Sequence, residues 1–329
     1  MNQTAAQTLQ RFPSLTITVW GDLVADVFID GEIARVSREA PVLILKQRRH
    51  QVAAGGAANA ALNLAALGIR VHLVGTVGED EPGRELLQIF RQAGISVDNI
   101  LRLPHRPTPT KTRLLAHHPH TTPQQVVRLD QEPPLLPAAQ QKVLAAAARR
   151  TLRSSQALLL SDYGYGAVTP ALAAEAAARI PLSTVDARFQ IADYAGFTAA
   201  TPNEPEIEAA LHCTIADAAD PLAALEQAGR KLLRRLRCQH LLATRGRDGL
   251  ALFEPGRRTL RLPVFGSQQA VDVTGAGDTV IAVFTAALAA GADGPTATHL
   301  ANVAGGLVVM KPGTATVSAT ELGEALRQC

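Results

Sequence analysis

The chain has 329 residues, 47% of them hydrophobic, and its 32 basic and 29 acidic side chains nearly cancel to +3. That length holds a full core, as one large α/β domain or a domain with a small appendage, and the balanced charge sets nucleic acid aside as a partner. Cys213, Cys238 and Cys329 have no C-x-x-C spacing, residues 1–13 lack a signal-peptide pattern and no apolar run matches a membrane span, so a disulfide framework, a zinc site and a membrane partner are set aside and a reducing, cytoplasmic location is expected.

Residues 1–14 read as a loose leader. Residues 15–20 are rich in β-formers and stop at Gly21-Asp22, which predicts a first buried strand with Asp26 just beyond it. Short strands at 27–29 and 42–45 suggest a hairpin-like excursion. In the run from Gln51 to Ala61, Gly55-Gly56 open a helix of small residues that reaches about 67 and stops at Gly68. Small residues serve tight packing on a sheet as well as close approach of backbone to a ligand. Asn59, one turn in, is the residue that packing accounts for least well.

A strand at 71–75, a turn at 78–80 and an amphipathic helix at 83–93 follow. Residues 105–130 are irregular again. Lys111 and Arg113 alternate on a strand and share a face, suited either to an anionic group or to solvent. His117-His118-Pro119-His120 reads as a solvated hairpin tip, because Pro119 interrupts it and no carboxylate or cysteine sits at ligand spacing. With a strand at 126–129, these segments suggest a small β-sheet outside the main body.

From 138 onward helices (138–152, 169–179, 204–211, 218–237) alternate with strands (157–161, 182–185, 198–200, 240–243). A hairpin at 250–253 and 259–262 and three further helices, after Asp278, at 296–311 and from 319, complete the chain. This alternation predicts a mostly parallel sheet covered on both faces. Ligands of such sheets collect at the carboxyl ends of strands. Asp22, Asp26, Asp162, Asp186, Asn203, Glu206 and Thr244-Arg245-Gly246 all follow predicted strands, as a catalytic cleft requires.

Asp272-Val273-Thr274-Gly275-Ala276-Gly277-Asp278 leads into the apolar helix. Small residues at a helix start leave N–H groups free for an anion. Asp278 then reads in one of two ways: as a helix N-cap above a glycine turn, or as a base beside a bound phosphate. There is no P-loop, no G-x-G-x-x-G after the first strand, no protein-kinase set and no G-x-S-x-G elbow. If a phosphoryl group is handled, residues 275–278 handle it.

Together these runs resemble the ribokinase-like (PfkB) family of carbohydrate kinases. Val271 to Thr279 is similar to its C-terminal signature and Gly55-Gly56-Ala57-Ala58-Asn59 to its N-terminal one. Asn203-x-x-Glu206 and Thr244-Arg245-Gly246 are similar to its nucleotide-side motifs. Ser37 to Val42, Pro109 to Arg113, Val127 to Asp130, Leu160 to Tyr163 and Gly313 to Ser318 further resemble the D-glycero-β-D-manno-heptose 7-phosphate kinases. Where those relatives tend to carry a lysine this chain has Tyr165, and Asp186-Ala187-Arg188 replaces their Asp-Pro-Lys.

The resemblance implies a three-layer αβα sandwich over 15–329, with a β-lid from about 27–47 and 105–130. It implies a stand-alone kinase that uses ATP and Mg²⁺, with a homodimer formed through the lid. Asp278 would be the general base, and the backbone of Gly275, Ala276 and Gly277 the anion hole. Asp26, Gly55, Gly56, Asn59 and Asp162 would hold the sugar, and Lys111 and Arg113 its phosphate. Thr244, Gly246 and Asn302 would line the adenosine side, Asn203 and Glu206 would organise Mg²⁺ through water, and Asp272 with Thr274 would form a monovalent-cation site for K⁺. A kinase of the same fold for another sugar, sugar phosphate or nucleoside, and a non-catalytic regulator on that scaffold, are the alternatives.

Overall fold

A computed structural model describes residues 2–117, 124–267 and 269–328. In chain order the elements are α1 (Asn2–Gln10), β1 (Thr16–Gly21), β2 (Leu23–Val36), β3 (Leu43–Gly56), α2 (Ala57–Ala66), β4 (Arg70–Gly78), α3 (Glu81–Gln92) and β5 (Ile100–Leu103). Then come β6 (Thr110–His117), β7 (Gln124–Gln131), α4 (Ala138–Thr151), β8 (Ala157–Asp162), α5 (Pro170–Ala177), β9 (Ser183–Ala187), β10 (Ala199–Ala200), α6 (Glu204–Leu211) and α7 (Pro221–Leu236). The last are β11 (His240–Thr244), β12 (Leu250–Phe253), β13 (Leu260–Leu262), α8 (Ala276–Ala289), α9 (Gly294–Val308) and α10 (Ala319–Gln328).

The main sheet runs β13-β12-β11-β10-β9-β8-β1-β4-β5. Its strands from β11 to β5 pair in parallel, and β12 and β13 add an antiparallel edge. Each central strand feeds both layers because successive side chains point to opposite faces. Ile17, Val19 and Leu159 join one core with α2, α3, α8, α9 and α10, while Trp20, Leu158 and Leu160 join the other with α4, α5, α6 and α7. This is the expected three-layer α/β arrangement.

The lid is a second sheet, ordered β3-β2-β6-β7, with β2 and β6 parallel. Its first two strands are 14 residues each, far longer than expected. Much of β3 and all of β7 is exposed, so their residues need not follow an apolar alternation that would betray them as strands. The four-residue β5, paired with β4, was not expected either.

Two other expectations change. Residues 1–14 are not loose: α1 packs against α9 and α10. Ala5, Thr8 and Phe12 are buried, at a spacing that puts them on one side of the segment. Arg11 Nη1 donates to Ala290 O at 3.0 Å, which ties the segment to the end of α8. Of the histidine-rich turn, His118, Pro119 and His120 lie outside the described residues. No helix among the described residues is long and apolar enough to cross a membrane.

One glycine reports how closely α7 lies on the sheet. A Cβ at Gly229 would sit 2.4–2.6 Å from the ring of Phe253, which is fully buried and has nowhere to go. Alanine gains about 1 kcal/mol over glycine inside a helix, but overpacking a core costs about 1–3 kcal/mol and more when the clash is deep. Gly229→Ala is therefore expected to lower the urea midpoint at unchanged m-value. A raised midpoint would mean that the layer is looser than these distances say.

Candidate active site

Asp278 lies in the first turn of α8 and is 3% exposed. The cap position belongs to Gly275, at φ +77°, and Asp278 makes no side-chain cap bond. The N-cap reading of Asp278 therefore fails. Its Oδ2 accepts from Asn59 Nδ2 at 3.0 Å and its Oδ1 from the Tyr163 hydroxyl at 3.0 Å. Burial pushes the Asp278 carboxyl up to about 6, and these two hydrogen bonds oppose that rise.

Asn59 is itself oriented. Its Nδ2 also donates to Gly275 O at 3.2 Å, and its Oδ1 accepts from Asn63 Nδ2 at 3.1 Å. Asn63 Oδ1 accepts from the backbone N–H of Val317. Helix α2 and the segment after α9 thus hold the amide that holds the carboxylate. Gly275 must be glycine: beyond its positive φ, a Cβ would lie 2.4 Å from Asn59 Nδ2 and 2.8 Å from Thr314 Cγ2. Gly277 is open, since a Cβ there would meet nothing within 4 Å, and it faces two cavities. In the opening turn of α8 the N–H of Ala276 donates to Val273 O at 3.3 Å, while that of Gly277 has no acceptor among the described residues and is available to an anion.

The lid supplies the acceptor side. Register sets Asp26 of β2 beside Lys111 of β6. Arg113 Nη1 donates to Asp26 Oδ1 at 2.5 Å, and Thr314 Oγ1 donates to Oδ2 at 3.2 Å. Gly55 leaves the space that Asp26 fills, since a Cβ there would meet Asp26 Oδ2 at 2.5 Å. Gly56, at φ +59°, lies against the Tyr163 ring. Lys111 Nζ sits 4.8 Å from the Tyr163 ring centroid and makes no hydrogen bond or ion pair among the described residues. Burial, with Arg188 nearby, lowers the Lys111 pKa.

Two expected substrate ligands are otherwise engaged. Arg113 shares the face of Lys111 as expected, but its guanidinium is paired with Asp26 and lies over the Phe28 ring, because a buried carboxylate needs a partner. Asp162 faces the body: its Oδ1 accepts from Gly164 N at 2.9 Å and its Oδ2 from the Tyr194 hydroxyl at 2.5 Å. Sequence reasoning placed Asp22 among the strand-end acids of the cleft, and in the structure it organises the loop that carries Tyr163. Its two oxygens accept from the N–H groups of Tyr163, Tyr165 and Ala167 at 2.9–3.0 Å. Burial, then the charge of Asp162, raises Asp22 to about 6 against those three bonds. Its position directly after the first strand was the available signal. Arg106 closes the same loop from outside, donating to Tyr165 O at 2.7 Å.

Across the cleft, Thr244, Gly246 and Asn302 border one cavity of about 480 Å³ that also reaches Gly277. Arg245 Nε donates to Glu204 Oε1 at 2.7 Å and braces its rim. A second cavity of about 400 Å³ adjoins it and includes Asp186, Asn203 and Glu206. Asn203 and Glu206 form a reciprocal capping box at the start of α6, with bonds of 2.8 and 2.9 Å. Burial raises Glu206 to about 7, and burial with the charge of Glu206 raises Asp186 well above the usual carboxylate range. Thr201 Oγ1, buried at the same cavity, has no hydrogen-bond partner among the described residues. Two crowded acids and an orphaned hydroxyl form a hard-oxygen donor set that fits a hydrated divalent cation. Asp272 accepts from Thr274 N at 2.9 Å and Gly313 N at 3.0 Å, so it ties the glycine turn to the segment bearing Thr314.

The pfkB family carbohydrate kinase profile matches residues 15–321. The chain belongs to that family. It is a phosphotransferase acting on a sugar hydroxyl, and membership implies ATP and Mg²⁺ as cosubstrate and cofactor. It is 40% identical to the bifunctional protein HldE of Stutzerimonas stutzeri (strain A1501), over 98% of this chain and 66% of that protein. It is also 40% identical to the HldE of Hahella chejuensis (strain KCTC 2396), over 97% and 65%. The chain thus spans just under two thirds of the length of these relatives. Its fold matches Arabidopsis thaliana ribokinase complexed with ribose and ATP, with a TM-score of 0.70 and 19% identity over 95% of this chain and 99% of that one. It also matches phosphofructokinase-2 from Escherichia coli in complex with potassium, with a TM-score of 0.76 and 14% identity over 95% and 98%.

The contact between Gly275 and Asn59 yields a prediction. Gly275→Ala drives the Asn59 amide away from the Asp278 carboxylate, and a misplacement near 1 Å costs about 100-fold in rate. Steady-state ADP release is expected to show kcat reduced on that order. A variant with wild-type kcat would show that Asn59 does not need this position.

Proposed function

We propose that this kinase transfers the γ-phosphoryl group of ATP to a sugar phosphate, and that its acceptor is D-glycero-β-D-manno-heptose 7-phosphate, phosphorylated to the 1,7-bisphosphate. The observation that carries the reading is the pair formed by Asp278 and Lys111. A carboxylate tuned to about 6 stands at the head of an anion-binding helix, and an ammonium without a hydrogen-bonded partner among the described residues waits on the lid side of the same cleft. The motif runs described above and the similarity to the HldE proteins support the heptose substrate.

In this mechanism Asp26, with Gly55 and Gly56 leaving room, accepts hydrogen bonds from sugar hydroxyls. Lys111 takes the acceptor's own phosphate. Asp278 receives the proton of the attacking anomeric hydroxyl, and the N–H groups of Gly275 and Gly277, joined by that of Ala276 once it leaves Val273 O, hold charge that develops on the transferring group. The adenosine lies along Thr244, Gly246 and Asn302. Asn203 and Glu206, with Asp186 facing them, would hold Mg²⁺ through water, and when bound the ion neutralises phosphate charge. K⁺ would sit by Asp272 and Thr274, since a carboxylate accepting two N–H bonds keeps further acceptor capacity. Val36, Val42, Leu43, Val127 and Leu129 are exposed on the lid, which suits a homodimer formed through it.

One observation favours another acceptor. Tyr165 is buried where heptose kinases tend to carry lysine, so the loop offers no second ammonium for a phosphate. A panel of sugar 7-, 6- and 5-phosphates, free sugars and nucleosides, read by coupled ADP release, decides the matter. The heptose 7-phosphate is expected to give the highest kcat/KM, and free sugars are expected to lose mostly in KM. Preference for an unphosphorylated sugar or a nucleoside would overturn the assignment.

A further inference from the structure

Tyr163 is fixed at three points. Its N–H donates to Asp22 Oδ2 at 2.9 Å. Its ring lies between Gly56, where a Cβ would approach to 3.1 Å, and Lys111 Nζ at 4.8 Å from the centroid. Its hydroxyl donates to Asp278 Oδ1 at 3.0 Å. A tyrosine filling a core needs none of this convergence. The hydroxyl could have faced the adjoining cavity, which the side chain also borders, yet it is directed at the carboxylate.

We infer that Tyr163 is the positioning residue of the phosphoryl transfer: its hydroxyl holds Asp278 ionised and aimed, while its ring carries the lid lysine over the same carboxylate. This rests on the reading of Asp278 as the base. The direction of the bond follows from chemistry. Burial and the neighbouring Asp278 push the Tyr163 phenol well above its ordinary pKa, so it keeps its proton and donates. A donor favours the carboxylate over the acid and opposes the burial that would neutralise it.

The other groups around Asp278 are accounted for. Asn59 of α2 is neutral and supplies the second donor. Asp26 of β2 raises the Asp278 pKa and Lys111 of β6 lowers it. Asp186 of β9 adds like charge from the nucleotide side. Among these, Tyr163 touches both Asp278 and Lys111, so the lid cation and the base share one aromatic side chain.

The test is the pH dependence of kcat/KM for the acceptor at saturating ATP and Mg²⁺, using the best acceptor from the panel. The wild type is expected to lose kcat/KM tenfold per unit below an inflection near pH 6, because a protonated Asp278 cannot take a proton. Tyr163→Phe keeps the ring beneath Lys111 and removes only the donor. Its inflection is expected to move up by about one pH unit, the size of one charged hydrogen bond, and kcat/KM above pH 8 is expected to fall as well, because the carboxylate is no longer aimed. Replacing Tyr163 site-specifically by 3-fluorotyrosine, a stronger donor, is expected to move the inflection down, and this serves if the phenylalanine variant is poorly folded. The acceptor's phosphate titrates alike in all three proteins. An unmoved inflection in both variants overturns the role of Tyr163 alone. A wild-type profile with no acid limb overturns it together with the base assignment.

Discussion

Everything in this site depends on keeping one carboxylate charged where water cannot reach it. Asp278 is 3% exposed, and burial alone would neutralise it. Two neutral donors, Asn59 and Tyr163, compensate without adding a competing positive charge at the reacting oxygen. The remaining architecture can be ordered by its distance from that need. Asn63 and the backbone of Val317 orient Asn59, Asp22 and Arg106 fix the loop of Tyr163, and Gly275 leaves the volume that the amide occupies.

The two sides of the cleft solve opposite electrostatic problems. On the lid side acid and base are matched: Asp26 is paired with Arg113, and Lys111 is left for an anion. On the nucleotide side burial pushes both Asp186 and Glu206 upward, and the charge of Glu206 adds to the rise at Asp186. A cation is the natural complement there, as an anion is at the helix start. Gly277 borders both cavities, so the α8 turn is the seam where a phosphoryl group can pass from one environment to the other.

The catalytic half of this picture is largely legible in the sequence. The glycine turn, Asn59 and the strand-end polar residues stand where the parallel-sheet rule puts them, and the structure brings Asp26, Asn59, Lys111 and Asp278 into one cleft. What stayed hidden has physical causes. Much of β3 and all of β7 in the lid is exposed, so no apolar period marks them. Arg113 and Asp162 look like ligands because charge in a loop or strand suggests contact with substrate. Only three-dimensional pairing reveals that Asp26 and Tyr194 had already engaged them. Asp22 was visible as a strand-end acid, but its three N–H bonds depend on how a loop about 140 residues later folds back. Residues 1–14 carry too few apolar side chains to announce a helix, and the burial of Ala5 and Phe12 against the end of the fold is a tertiary fact.

The central claim, that Asp278 removes the acceptor proton and does little for ground-state binding, is most directly tested by Asp278→Asn. This change keeps shape and removes the proton-accepting charge, and it gives up one of the two accepted hydrogen bonds because the amide nitrogen can only donate. Single-turnover phosphoryl transfer is predicted to slow by roughly 1,000-fold or more, with ATP affinity by calorimetry unchanged within a few-fold. Near-normal transfer in a folded, ATP-binding variant would contradict the account.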